Sequence, residues 1–259
     1  MKLFSCCTPL SLLLPALLAF PACAIVNVEQ AIIGKSADGM HTSLSLLANG
    51  AGGNTDKSAI KADVLSVWQH ERHTEFLQVQ SAYGKSRGQT DTDRAFVHLR
   101  HRSDIGDSWG VEGFVQVGQD RFSRLSQRTL LGGGLRWTLF EEEGRSAGYL
   151  GFGAFHERET LNSQTGTTDS LRSRLWRGNS YLILKQQLNG QVRFNNTLYY
   201  QPALSDATDY RLLEQAALLV RLKENLDLKL GLDIAFDSKP AQTVHKRDLL
   251  YSTGLEFSY

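Results

Sequence analysis

Apart from its first 24 residues, the chain contains no cysteine. The 259-residue sequence holds three, Cys6, Cys7 and Cys23, all in that opening stretch. The rest can therefore form neither a disulfide nor a thiolate metal site. Stability without disulfides needs another source, and a sheet closed on itself supplies one by pairing every strand edge. Long hydrophobic runs are missing as well. Beyond the opening stretch, nothing approaches the roughly 18 consecutive apolar residues of a membrane helix. A helical membrane protein is excluded, but a barrel is not, because only every second barrel residue meets lipid. Charge of one sign is lacking too. Losing Lys2 with the opening stretch would leave 27 basic residues, one fewer than the 28 of the whole chain, against 27 acidic ones. That balance argues against nucleic acid as a partner and gives no simple basis for ion selectivity. Proline is scarce at 5 residues while glycine reaches 23, a profile that fits strands and turns.

The opening stretch has the parts of a secretory signal peptide. Lys2 gives a positive start, residues 10–20 an apolar core broken once by Pro15, and Ala22-Cys23-Ala24 a small-x-small cleavage site. The expected organisation is a removed signal peptide over 1–24, cut before Ile25, a short periplasmic lead-in over 25–39, and one barrel domain over 40–259. A lipoprotein acylated at Cys23 is disfavoured, because Phe20-Pro21-Ala22 makes a poor lipobox. At the other end, Thr253, Leu255, Phe257 and Tyr259 alternate with Ser252, Gly254, Glu256 and Ser258. A period of two marks a strand. A final strand that is apolar on one side and ends on an aromatic suits the closing strand of an outer-membrane β-barrel. Gly254, Phe257 and Tyr259 also resemble the C-terminal signal read by the bacterial barrel-assembly machinery.

The same alternation recurs upstream. Leu226, Leu228, Leu230, Leu232, Ile234 and Phe236 form one unbroken apolar face, opposed by Asp227, Lys229, Gly231, Asp233, Ala235 and Asp237. Twelve strands are predicted, at about 40–49, 57–69, 74–84, 94–102, 108–119, 127–140, 146–158, 174–188, 191–201, 209–222, 226–237 and 247–259, with ten or fourteen as alternatives. Segment 146–158 is ambiguous in phase, and 209–222 puts Glu214 on its apolar side, which a bulge would explain. Connections are expected to alternate short (70–73, 103–107, 141–145, 189–190, 223–225) and long (49–56, 85–93, 120–126, 159–173, 202–208, 238–246), as in barrels with short periplasmic turns and longer external loops. The fold expected is an all-β, antiparallel, up-and-down transmembrane barrel with both termini in the periplasm. Trp68, Trp109, Trp137, Tyr83, Tyr200, Tyr210, Tyr251, Phe257 and Tyr259 fall near predicted strand ends, where aromatic girdles sit.

Several short motifs occur in order along the chain: Ile25-Val26-Asn27-Val28-Glu29, Gly53-Asn54-Thr55-Asp56, Asp120-Arg121-Phe122, Leu131-Gly132-Gly133-Gly134-Leu135-Arg136, Asp209-Tyr210-Arg211-Leu212, Leu228-Lys229-Leu230-Gly231-Leu232 and Asp237-Ser238-Lys239-Pro240. Together they resemble the YdiY-like, salt-induced outer-membrane proteins, a barrel family carrying the DUF481 domain of unknown function. Ala51-Gly52 makes the stretch before Gly53 slightly longer than the family pattern. The resemblance implies an outer-membrane barrel and brings no catalytic residues with it.

No catalytic, cofactor-binding or metal-binding set emerges. His98 and His101 are three apart on a strand and face opposite sides. His70 and His73 flank a turn with only Glu71 nearby. Asp91, Asp93, Asp206, Asp209 and His245 have the residue types of a barrel protease without its spacing, and a barrel phospholipase would need a Ser–His–Asn grouping that is missing. Gly132-Gly133-Gly134 lies within a strand, which suits close packing rather than a phosphate cradle.

The predicted inner face is the better lead. It carries Lys61, Asp63, Arg100, Glu112, Arg136, Arg193, Arg211, Arg221, Asp227, Lys229, Asp233 and Glu256. Opposed charges either pair across the lumen and nearly close it, or line a narrow, weakly selective pore. Arg121, Arg124, Arg128, Arg158, Arg172, Arg174 and Arg177 fall in or beside two predicted outer loops, and guanidinium forks suit phosphate. Of these, Arg121, Arg124, Arg172 and Arg174 are candidates for contact with lipopolysaccharide. The reading is of a monomer with membrane lipids as partners and no cofactor: a narrow passive channel or structural envelope barrel, with a hydrolytic barrel or a soluble periplasmic β-domain as alternatives.

Overall fold

A computed structural model describes residues 38–51 and 57–259. The expected signal peptide, nearly all of the lead-in and the Gly53–Asp56 motif lie outside the described residues. Twelve strands follow one another: β1 (Gly39–Ala51), β2 (Lys57–His70), β3 (His73–Ser86), β4 (Gln89–Ile105), β5 (Trp109–Asp120), β6 (Leu125–Glu142), β7 (Ser146–Leu161), β8 (Arg172–Gln187), β9 (Val192–Ala203), β10 (Asp206–Lys223), β11 (Leu226–Asp237) and β12 (Arg247–Ser258). Each pairs antiparallel with its sequence neighbours, and β12 returns to β1 to close the barrel. The seam is short. Ser43 to Leu47 face Ser258 to Gly254, five paired positions, and the backbones of Thr42 and Tyr259 add bonds of 2.8 and 3.0 Å.

Alternation along each strand separates two environments. On β3, Thr74, Phe76, Gln78, Gln80 and Ala82 are buried in the interior while Leu77, Val79 and Tyr83 are exposed outside. On β5, Glu112, Phe114 and Gln116 point inward while Val111, Val115 and Val117 point outward. Greasy residues outside and charges inside invert the soluble arrangement and are what a transmembrane barrel requires. A sandwich interior for the Leu and Phe ladders is ruled out by this geometry. Trp109 and Trp137 stack on the outer surface at the end that holds the termini, with ring centroids 5.8 Å apart. Tyr200, Tyr210 and Phe236 form a chain of ring contacts towards the other end, at 5.9 and 5.6 Å.

The phase of β7 is settled: Tyr149, Phe155 and Glu157 face in. Glu214 faces outward, and no bulge is responsible. The β10 register runs unbroken past it, with irregularities only between Asp206 and Tyr210 and between Arg221 and Lys223. Its carboxylate accepts a 3.1 Å bond from the Asn196 side-chain amide on β9.

The expected long connections are corrected in two places. Segments 85–93 and 202–208 are tight turns of two residues, Arg87-Gly88 and Leu204-Ser205, between strands that continue to either side. Arg87 and Gly88 both have positive φ, 50° and 75°, the twist-matched turn of a two-residue hairpin. The strands run on past the hydrocarbon, where both faces are wet and apolar alternation fades. Polar sequence therefore looked like loop.

Candidate functional site

The barrel interior holds the charged groups, and strand order decides which of them meet. Near the end with the long loops, Glu157 on β7 is 1% exposed. It accepts from Arg177 on β8 at 3.0 Å and from Arg211 on β10, which reaches across two strands. Arg211 also donates to Glu159 at 3.0 Å and to Asp237 on β11 at 2.9 Å. Arg128 on β6 donates to Glu159 at 2.6 Å, and Arg177 to Asp209 at 3.0 Å. Three guanidiniums and four carboxylates thus form one network spanning β6 to β11. Above it lies a cavity of about 230 Å³, and a second of about 210 Å³ lies beside Asp91, Arg94, Asp120 and His245.

Deeper in, Glu112 collects Arg100 at 3.6 Å, Arg136 at 3.8 Å and the Tyr181 hydroxyl at 2.6 Å, the last from β8 across the barrel. Arg136 stands over the Tyr149 ring at 3.7 Å, and Arg100 over Phe114 at 5.7 Å. The aromatic side chains Phe114, Tyr149, Phe155, Tyr181 and Tyr199 form an apolar cluster in the same interior. Such rings stabilise guanidiniums that have left water. Towards the terminal end, Lys229 on β11 binds Glu256 on β12 at 2.7 Å, and Ser45 on β1 donates to the same carboxylate at 2.8 Å. Lys61 on β2 reaches Asp233 on β11 at 3.5 Å, Arg193 on β9 donates to Asp227 on β11, and Gln78 and Gln80 donate to Asp63 at 2.6 and 2.9 Å.

Of the inner-face residues expected from sequence, Lys61, Asp63, Arg100, Glu112, Arg136, Arg193, Arg211, Asp227, Lys229, Asp233 and Glu256 thus point into the barrel. Arg221 departs from the expectation: it is exposed, beside the irregularity at the terminal end of β10. Its register partner Asp227 is taken by Arg193. Glu157, Glu159, Arg128 and Arg177 were missed. The signal is there in the period-two series Phe155, Glu157, Glu159 and Arg177, Asn179, Tyr181, but only Glu159 falls beyond a predicted strand, and the ambiguous phase of 146–158 and the nearby loops hide the inward side of the others.

The outer-loop arginines divide. Arg124 is corrected from lipopolysaccharide contact to an internal tie. It is buried, donating to Asp169, to the Asn162 carbonyl at 3.1 Å and to the Gln242 carbonyl at 2.9 Å. Gln242 and Asp169 bind each other as well, through the Gln242 backbone N–H at 3.0 Å. The connection 162–171 leaves from β7 and the connection 238–246 from β11, so their meeting on Arg124 ties two loops together at the barrel mouth. The Gln242 N–H, with Arg124 beside it, holds the Asp169 carboxyl below its ordinary value of 3.8. A carboxylate with a depressed folded value contributes stability that is full above 3.8 and is lost as pH falls through the lower folded value. Pepsin should therefore spare the 162–171 loop of the folded barrel in mild acid and nick it only once Asp169 protonates. Asp169→Asn, which has no carboxylate to protonate, should be nicked in mild acid as well.

Among the described residues, no group of three or more His, Asp and Glu side chains is arranged to hold a metal ion. His73 and His101 stack at 5.5 Å on the outer surface, and His101 binds Glu75 at 3.0 Å.

A family described as "Protein of unknown function, DUF481" matches residues 46–259. The chain belongs to the DUF481 family. No curated protein matches it. Solved structures similar to this DUF481 protein include the translocator domain of autotransporter NalP from Neisseria meningitidis, at 14% identity and a TM-score of 0.48 over 86% of this chain and 89% of that one. The NanC porin is similar at 12% identity, with a TM-score of 0.49 and coverage of 84% and 98%. The KdgM porin, in complex with disordered oligogalacturonate, is similar at 9% identity, with a TM-score of 0.45 and coverage of 84% and 99%. At these levels nothing about solute or partner transfers to the DUF481 chain.

Proposed function

We propose that this DUF481 protein is an exported outer-membrane barrel of the YdiY-like, salt-induced type, a structural envelope protein whose lumen passes at most water and small ions, without catalysis. The observation that carries the reading is the set of bridges across the lumen: Arg211 to Glu157, Tyr181 to Glu112 and Lys61 to Asp233. Each joins strands separated by two others. Interior side chains fill small barrels and leave an aqueous channel in large ones, and at twelve strands these bridges tip the balance towards closure.

The residues of the hydrolytic alternative support the same reading. Asp91 is engaged by Lys57 at 3.2 Å, Asp93 by Arg121 at 3.1 Å, Asp206 by Lys239 at 2.5 Å and Asp209 by Arg177. On this reading the leader is removed before Ile25, the termini lie in the periplasm, the barrel is monomeric, and Gly254, Phe257 and Tyr259 address it to the assembly machinery. Planar-bilayer recording of the folded protein should give a near-silent baseline, and Glu157→Gln should raise conductance by loosening Arg211 and Arg177. Large, steady open steps from the unaltered protein would overturn the closed-barrel reading.

A further inference from the structure

With Arg124 turned inward and Arg121 paired to Asp93, the remaining lipopolysaccharide candidates are Arg172 and Arg174, and Arg158 stands beside them. On the outward face of the β7–β8 hairpin, Arg158 sits directly opposite Arg174, and Thr160 opposite Arg172. All three arginines are exposed. Like charges directly opposite each other on a sheet are destabilising. Two other exposed cations at the same end of the barrel are answered: Arg121 has Asp93 and Lys239 has Asp206. Among the described residues, no carboxylate lies within ion-pair distance of Arg158, Arg172 or Arg174. The acidic residues of the same hairpin, Glu157 and Glu159, point inward to Arg177, Arg128 and Arg211.

Height on the barrel says what answers the charge. One outward step nearer the membrane from Arg158 and Arg174 lie His156 and Trp176, in edge-on ring contact at 5.4 Å, with Trp176 55% exposed. Aromatic residues of this kind mark the level of the lipid headgroups. Three unanswered guanidinium forks just above that level, on the outside of the wall, face the depth at which glycolipid phosphates lie in the outer leaflet.

We propose that Arg158, Arg172 and Arg174 form a binding site for a phosphate group of an outer-leaflet glycolipid. The forks supply bidentate, charge-assisted hydrogen bonds, the bound phosphate removes the repulsion between Arg158 and Arg174, and Trp176 packs against the acyl–headgroup boundary. The proposal rests on the membrane placement given above.

The test uses the full-length barrel in phosphatidylcholine nanodiscs containing diphosphorylated lipid A, with retained lipid measured by native mass spectrometry. Membrane placement is checked separately, by the heat-modifiable gel mobility of each variant. Replacing all three arginines with Gln should weaken retention on the order of 100-fold, about fivefold for each guanidinium near an anionic headgroup. Arg121→Gln, at an arginine already paired, should change little. Dephosphorylated lipid A should bind the unaltered protein as poorly as lipid A binds the triple variant. Equal retention by a folded triple variant, or equal binding of the dephosphorylated lipid, overturns the proposal. So does full competition by millimolar inorganic phosphate, which would make this a site for a soluble anion. Loss of the compact gel band in the unaltered protein would instead defeat the membrane reading itself.

Discussion

An Arg211→Met barrel should lose about 3–5 kcal/mol of unfolding free energy, the usual cost of stranding the partners of a buried ion pair. Arg211 is 7% exposed and serves Glu157, Glu159 and Asp237 from three different nitrogens. Methionine fills similar space and neutralises none of the three. Arg177 and Arg128 still reach Glu157 and Glu159, but Asp237 loses its guanidinium partner. The loss should appear as a lower urea midpoint for vesicle-reconstituted protein, followed by tryptophan fluorescence. Groups sharing one network couple strongly, so adding Asp237→Asn to Arg211→Met should recover part of the loss. If the two substitutions simply add, the network is not a unit. The same variant should also leak current in a bilayer, because the Arg211 bridge is one of those that cross the lumen.

Gly254→Val should prevent closure altogether. A Cβ at Gly254 would lie 2.2 Å from the Leu46 carbonyl oxygen and 2.8 Å from the Leu47 Cα, both backbone atoms that cannot swing aside. Ordinary contact begins at 3.4 Å, so β1 and β12 would have to part. They have little to hold them: five paired positions, against thirteen between β1 and β2. An open barrel leaves unpaired backbone groups facing lipid, each costing several kcal/mol. The compact, heat-modifiable gel band should disappear, with protein degraded or left unassembled. Gly113→Ala is the control, since nothing lies within 4 Å of a Cβ there, and it should fold. A normal compact band for Gly254→Val would show that the seam tolerates separation.

The barrel was legible in sequence because a membrane wall imposes two solvents on alternate residues. Leu226–Asp237 displays that demand without interruption, and all twelve strands follow from the same signal. Reading failed where the two solvents become one. Above the hydrocarbon both faces are wet, so the ends of β3, β4, β9 and β10 looked like loops, and Arg128, Arg177 and Arg124 were placed outside when they point in. Arg221 failed at the opposite end for a related reason, since past the last buried position, Leu219, parity no longer implies burial. Glu214 taught the reverse lesson. Its anomaly suggested a bulge, yet the register is regular and the carboxylate does face outward. Partners across the lumen, such as Arg211 with Glu157 or Lys61 with Asp233, could not be read at all. Face follows from local alternation, but partner identity depends on strand stagger around the whole cylinder.

The two-residue turns at Arg87-Gly88 and Leu204-Ser205 carry hydrogen-bonded strand up to the far rim of this cylinder at two places. A strand of 18 residues, such as β6, tilted about 40° climbs roughly 45 Å along the axis, whereas the greasy band around such proteins is about 25 Å tall. The surplus stands clear of the lipid as a hydrogen-bonded parapet. If the termini lie in the periplasm as proposed, a phage fibre or antibody would meet preshaped strand edges at those two turns, beside the longer 162–171 and 238–246 connections, and would surrender little ordering entropy in gripping them.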